Sequence, residues 1–241
     1  MPDSPDYSKF LGTSVRFSLQ DLGELAARLG SLSSFDRRGE IVYIEDWRKG
    51  IASWVVQELG TGASVRLSTT QTHKTPYSIQ FISGSSSSKT ASITSSTGGN
   101  IDGRLGIECG FIVNNATEQI HINAAVNNGT LQTLARLKWD IVTGELSLFV
   151  AGSTYTLLDD RLWTSGGTFR FYPVKFVFDI ATGKYTRLMI SSLSFDLSGY
   201  DLVQSATTTN PLYSLSIQHI ADTLTNPVLY NNYVILTANE P

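Results

Sequence analysis

Charge is scarce in this sequence. Asp, Glu, Lys and Arg make up 16 % of its 241 residues, against about a quarter in an ordinary globular domain. Eighteen basic and twenty-one acidic residues leave a net charge of −3 and form no basic block. A nucleic-acid binder gathers Lys and Arg into a patch or stripe, so nucleic acid is not an expected partner. Long apolar runs are missing too: no segment approaches the roughly 20 residues of a membrane-spanning helix, and no membrane insertion is expected. The single Cys109 excludes an internal disulfide framework. Its setting, "IECGFIV", reads as a strand and the thiol as buried and inert.

Catalytic patterns are equally thin. His73, His121 and His219 lie far apart without neighbours at metal-ligand spacing, and His121 alternates within a strand as an ordinary sheet position. There is no Gly-x-Ser-x-Gly elbow, His-Glu-x-x-His pair or phosphate-cradling glycine loop. A sandwich glycosidase needs two carboxylates a few ångströms apart across a cleft. The adjacent pairs Glu45-Asp46 and Asp159-Asp160 would point to opposite faces of a strand. The expectation is a protein that is not an enzyme. The N-terminal stretch "MPDSPDYSKFLGTSVRFSLQ" lacks the basic and apolar regions of a secretory signal, and the chain is expected to stay where it is made.

What is present is mostly strand. Residues 1–16 form a polar arm with Pro2 and Pro5. One short amphipathic helix is expected in "FSLQDLGELAARLG": Ser18 is a natural N-cap with Asp21 three residues on. Leu19, Leu22, Leu25 and Leu29 make an apolar stripe, and Gly30 suits the C′ position. From Phe35 onward about a dozen short β-prone runs follow, among them "GEIVYIEDW", "ASVRLSTT", "YSIQFIS", "GIECGFIV", "EQIHINAAV", "TLARLKW" and "LYSLSIQHI". This is the spacing of an all-β sandwich or barrel. The low-complexity stretch "SGSSSSKTASITSSTGGN", residues 83–100, reads as a surface loop or an exposed edge strand around "KTASIT". The chain thus divides into an arm and helix, residues 1–34, acting as a docking extension, and an antiparallel jelly-roll β-sandwich, residues 35–241.

A phrase recurs thirty-nine residues apart: "WDIVTG" at 139–144 and "FDIATG" at 178–183. Asp and Thr can bond nearby backbone groups, and Gly supplies the positive φ of a hairpin loop. Both copies are read as hairpin turns in an antiparallel sandwich rather than as a sugar or metal motif. The four tryptophans and ten tyrosines can fill the core or form platforms for sugar rings, and core packing is preferred. Trp163, in "RLWTSGG", and Tyr155 are the candidate exposed platforms.

"IEDWRKGIASW", "TGASVRLSTTQTHKTPYSIQF" and "VLYNNYVIL" resemble the opening strands and closing strand of carbohydrate-binding jelly rolls of the family 4/9/22 type. The hairpin-rich middle is more similar to concanavalin-like sandwiches in general. The resemblance implies a structural calcium between first and last strands, for which Glu45 and Asp46 are the candidates. Asn231 and Asn232 stand where the family's closing acid is expected, which weakens such a site, since hard cations favour carboxylate oxygens.

Two functions are weighed. The preferred expectation is a structural protein of a virus particle, a phage capsid decoration, head-fibre or tail component. It would be assembled in the host cytoplasm and so need no secretion signal, docking on other virion proteins through Leu19, Leu22, Leu25 and Leu29 and acting as a homo-oligomer. The alternative is a lectin-like carbohydrate-binding module contacting cell-surface glycans. No cofactor is expected beyond the weak calcium candidates.

Overall fold

Period-two patterning becomes strand pairing in the computed structural model, which describes residues 32–35, 39–84, 89–99, 103–115, 117–160, 168–222 and 226–241. Among them run β1 (Glu40–Glu45), β2 (Val55–Leu59), β3 (Ala63–Ser68), β4 (Ser78–Ser83), β5 (Lys89–Gly98), β6 (Arg104–Val113), β7 (Gln119–Asn127) and β8 (Leu131–Asp140). The series continues with β9 (Leu146–Val150), β10 (Thr154–Asp159), β11 (Arg170–Asp179), β12 (Lys184–Ile190), β13 (Leu193–Asp196), β14 (Val203–Ala206), β15 (Leu212–Ala221) and β16 (Val228–Ala238). The first sheet has the order β13-β12-β11-β6-β16-β4-β3, with β1 beside β16. The second has the order β10-β9-β8-β7-β15-β5-β2, with β14 beside β8. Every one of these pairings is antiparallel. The all-β sandwich expected from the sequence is present. The described residues contain no helix; the one expected over residues 17–30 lies outside them, with Leu19, Leu22, Leu25 and Leu29.

The inner faces meet in one apolar core. Leu105, Ile107, Phe111, Phe176 and Phe178 of the first sheet and Ile93, Ile122, Leu137 and Ile217 of the second are essentially removed from water. Trp47, Trp54 and Trp139 belong to this core, so three tryptophans pack rather than display their rings. Two polar ties cross it. The Tyr185 hydroxyl, from β12, accepts a hydrogen bond from the Arg136 N–H at 3.1 Å and donates to the Phe149 carbonyl, completing the β8–β9 ladder from below. The His219 ring, wholly buried on β15, sits 2.8 Å from Ser83 Oγ of β4 and accepts the Glu118 N–H at Nε2.

The repeated Asp-Ile-x-Thr-Gly phrase forms the β8–β9 and β11–β12 hairpins, one in each sheet. Asp140 Oδ1 accepts the N–H groups of Val142 and Thr143, both at 3.0 Å, and Asp179 Oδ1 those of Ala181 and Thr182. Gly144 and Gly183 take φ of 77° and 67°, a conformation that costs glycine little. Ile141 and Ile180 each drop inward. Hairpin geometry accounts for both copies.

One strand departs from regular alternation, and one expectation changes. A bulge between Ile41 and Tyr43 breaks the alternation of β1, leaving Ile41 exposed while Tyr43 and Glu45 turn inward. The Ser/Thr stretch around "KTASIT" is neither a loop nor an edge: β5 lies between β15 and β2, with Ala91 and Ile93 fully buried beneath it. Small residues that look like low complexity form an interior strand because alternate positions still supply an apolar face.

The two outer faces differ. On the first sheet, β6 and β16 are buried at nearly every position, and β11 is buried from Val174 to Asp179. There Glu108 accepts bonds from the Ser33 hydroxyl, the Ser34 N–H and the Tyr233 hydroxyl. Lys175 and Arg187 share the carboxylate of Glu240 at 2.6 and 2.9 Å. On the second sheet, β15 alternates strictly between buried and half-buried positions, and β7 and β8 do so over most of their length, so most of their outer side chains meet solvent.

Candidate functional site

Antiparallel register sets the outer side chains of the second sheet in two adjacent rows. One runs Leu157, Ser147, Lys138, His121, Gln218, Ser92 and Gln57 across seven strands. The next runs Tyr155, Phe149, Arg136, Asn123, Ser216, Thr94 and Val55. The middle of both rows is hydroxyl, amide, imidazole and cation. The margins are apolar: Leu157 is 50 % exposed and Tyr155 39 % at one edge, Val55 71 % at the other. A polar floor between apolar rims suits a ligand that has both hydroxyl groups and C–H faces.

At the β10 edge, three rings and two cations group together. Tyr155 lies tilted against Phe149, with ring centroids 5.3 Å apart, and edge-on to His121 at 6.0 Å. Its hydroxyl is 3.4 Å from His121 Nδ1. The Arg136 guanidinium stands 4.8 Å from the Phe149 centroid, and Lys138 Nζ 5.5 Å from that of Tyr155. Burial, and secondarily the charges of Lys138 and Arg136, lower the pKa of His121 to about 4, so the ring is neutral near pH 7. Burial also raises that of Tyr155. The neutral imidazole has one donor and one acceptor.

Some of this floor is unpaired within the chain. His121 Nε2 and Ser216 Oγ are screened from water yet have no hydrogen-bond partner, and Asn127 Oδ1, on the same face of β7, is in the same state. Buried polar groups without partners are rare and costly in a finished fold. Other such atoms lie in the core or on the first sheet, among them Arg187 Nε; the three on this face differ in sharing it with exposed rings and cations. The β8 and β9 backbones beneath Arg136 and Phe149 are held by the Tyr185 hydroxyl from the other sheet, so these two side chains project from a rigid platform.

Of the residues singled out from the sequence, Tyr155 lies on this face, and Trp163 lies outside the described residues. Glu45 and Asp46 lie elsewhere, at the end of β1, and their oxygens are committed. Glu45 accepts the Trp47 N–H at 3.0 Å, the Tyr43 hydroxyl at 2.7 Å and the Trp54 indole N–H at 3.3 Å. Asp46 accepts the Arg48 N–H and pairs with its guanidinium. Asn232 is bonded to the Lys74 N–H and to Thr75. Among the described residues no three His, Cys, Asp or Glu side chains gather as a metal site would. A carboxylate already surrounded by N–H and O–H donors does not fit a hard cation, which needs six to eight free oxygen ligands.

Arg136, Lys138, Asn123, Ser216 and Gln218 were not singled out from the sequence. Their signal was present in "LYSLSIQHI", "EQIHINAAV" and "TLARLKW", where every second residue is polar. That pattern describes any half-exposed strand; pairing alone brings the three together. A separate cavity of about 110 Å³ lies between the sheets, lined by Tyr43, Trp54, Ser95, Thr97, Tyr213 and Leu215.

No protein-family model and no curated relative matches the chain. Solved structures do. Lectin I-B4 from Griffonia simplicifolia, in a metal-free form, is 9 % identical with a TM-score of 0.52, over 82 % of this chain and 99 % of the lectin. The exoplasmic/lumenal domain of VIP36, bound to calcium and Man3GlcNAc, is 11 % identical with a TM-score of 0.52, over 82 % and 88 % of the two chains. What the chain shares with them is the jelly-roll β-sandwich fold. A protein of unknown function from Shewanella oneidensis MR-1 shares it over 94 % of this chain and 96 % of its own, at 10 % identity and a TM-score of 0.53. At such identities the likeness concerns the scaffold, and function has to be argued from the face itself.

Proposed function

We propose that this chain is a non-enzymatic, lectin-like glycan-binding protein whose binding surface is the outer face of the second sheet. The observation that carries the reading is the pair of cross-strand rows. Their central groups include two screened polar atoms without partners, His121 Nε2 and Ser216 Oγ, and their margin carries the exposed ring of Tyr155. Hydroxyls of a sugar would pair with Asn123, Ser216, Gln218 and His121, and its C–H face would lie against Tyr155 and Phe149. Neither row contains a carboxylate, whereas glycoside hydrolysis typically uses two, which supports binding rather than cleavage. The lectin-type scaffold is consistent with this reading. The virion-component expectation draws on Leu19, Leu22, Leu25 and Leu29, outside the described residues, and no observation of the described structure favours it.

The test is a glycan array followed by calorimetry on the best binder. Tyr155→Ala and Asn123→Ala are each expected to weaken binding about tenfold or more, the loss of one stacking contact or of one well-formed set of hydrogen bonds. Unchanged affinity in both variants, or no glycan bound at all, would overturn the reading.

A further inference from the structure

Two cations stand in the rows, and the sheet provides no anion for either. Arg136 and Lys138 occupy alternate positions of β8 and therefore share its outer face, beside Asn123 and His121 respectively. Among the described residues the ion pairs are Arg48–Asp46, Arg104–Asp179, Lys175–Glu240, Lys184–Asp201 and Arg187–Glu240; Arg136 and Lys138 form none. The acidic residue next along that face of β8 is Asp140. Its oxygens accept the Val142 and Thr143 N–H groups and the Gln119 side-chain amide, so it is engaged in closing the hairpin. The cations meet the faces of Phe149 and Tyr155 instead. A ring face attracts a cation but accepts none of the directed hydrogen bonds that a guanidinium offers through five N–H donors.

This excess is local, because the whole chain is net negative. It also sits beside the aromatic margin and the unpaired ring nitrogen and hydroxyl of His121 and Ser216. A planar fork beside a ring suits a carboxylate or sulfate attached to a sugar, with the guanidinium meeting the anion in paired bonds. Five strands, from β9 to β5, cover about 19 Å at the usual sheet spacing, which gives room for several sugar units.

We propose that the face is selective for acidic oligosaccharides, with Arg136 and Lys138 on a carboxylate or sulfate substituent, Tyr155 and Phe149 against the sugar ring, and Asn123, Ser216 and Gln218 on its hydroxyls. The inference rests on the glycan-binding reading above and adds the charge class of the ligand.

Calorimetry on the full chain tests it with matched probes. Galacturonic-acid oligosaccharides are compared with uncharged galactose oligosaccharides of equal length, and sulfated carrageenan oligosaccharides with their desulfated, uncharged counterparts; polyphosphate serves as a polyanion without sugar. The expected result is at least tenfold tighter binding of the acidic member of one pair, weakening as salt is raised. The pair that responds identifies carboxylate or sulfate as the recognised group. In the Arg136→Gln/Lys138→Gln double variant that preference should fall to about one, with the circular dichroism spectrum unchanged. Equal binding of acidic and neutral members overturns the charge selectivity and leaves the glycan reading standing. Binding of polyphosphate as tight as that of the acidic sugars overturns it in favour of general anion attraction. Binding of no sugar overturns both.

Discussion

The two outer faces of this sandwich are built on the same antiparallel lattice and treat their cations differently. On the first sheet, Lys175 and Glu108 are almost fully buried and each is matched: Lys175 with Glu240, Glu108 with Ser33, Ser34 and Tyr233. On the second, Arg136 and Lys138 are half-buried and meet only rings, while His121 Nε2 and Ser216 Oγ meet nothing in the chain. A face closed by its own polypeptide has its charges neutralised internally, because leaving them unpaired out of water costs several kcal/mol. A face that keeps unpaired donors and acceptors carries a cost that ligand binding can relieve. The contrast points to the second sheet as the place where function resides.

If that contrast holds, substitutions on the first sheet should be costly to stability and those on the second should not. The largest effect is expected from Glu240→Ala, which removes the anion shared by Lys175 and Arg187. Breaking a buried pair from one side costs about 3–5 kcal/mol, read as a fall in the urea unfolding midpoint at constant slope. A loss under about 1 kcal/mol would show that this face is less closed than its burial indicates.

Gly110→Ala comes next. The added Cβ would lie 2.6 Å from a Tyr233 ring carbon and 2.8 Å from a Phe171 ring carbon on the outer face of β6. Overpacking of this sort costs about 1–3 kcal/mol, measured in the same unfolding experiment. Both rings are seated in the covered face, so neither can turn aside freely.

A tie between the sheets gives a pH signature. The buried His219 accepts the Glu118 N–H at Nε2, leaving its proton on Nδ1 toward Ser83. Charging it would set a second N–H against the first. Burial accordingly lowers its pKa to about 3, against an ordinary value near 6.5. With the folded pKa below the unfolded one, the unfolded chain takes up the proton first. This contribution is complete above about pH 6.5 and declines by about 1.4 kcal/mol per pH unit as pH falls, until the native ring itself titrates near pH 3. His219→Asn should lower stability at pH 7 and flatten its decline between pH 6.5 and 4. An unaltered slope would sink the assignment.

How much of this was legible beforehand depends on range. Strands showed themselves by alternation, most plainly in "LYSLSIQHI". The two Asp-Ile-x-Thr-Gly phrases showed their hairpins because a turn is a local object, decided by Asp140, Gly144, Asp179 and Gly183. The rows were illegible, since they depend on which strand lies beside which: Ser216 is brought to Asn123 and to Thr94 from distant parts of the chain. The Ser/Thr stretch misled for a physical reason as well. In β5 the outer hydroxyls of Ser92 and Thr94 are part of the floor, and only Ala91 and Ile93 reach the core, so little apolar content marked it as interior. Tyr155 was found among many aromatics, but what makes it a platform candidate is its place at the sheet margin beside Lys138 and His121.

The smallest expected effect on stability tests the open face most sharply. Lys138→Met keeps the apolar stem over Tyr155 and deletes the charge. A half-buried cation over a ring contributes about 0.5–2 kcal/mol, and no ion pair is broken, so the unfolding midpoint should move by no more than that. The charge has a second readout. Lys138 is, after burial, the main influence depressing His121, ahead of Arg136, while Asp140 acts weakly in the other direction. Removing it should raise the titration midpoint of the His121 ring from about 4 toward its ordinary value, as followed by its proton and nitrogen NMR shifts. A large stability loss with a stationary His121 would mean that Lys138 is a structural part of the sheet. A small loss with a rising His121 would mean that the cation faces an open, ligand-ready surface.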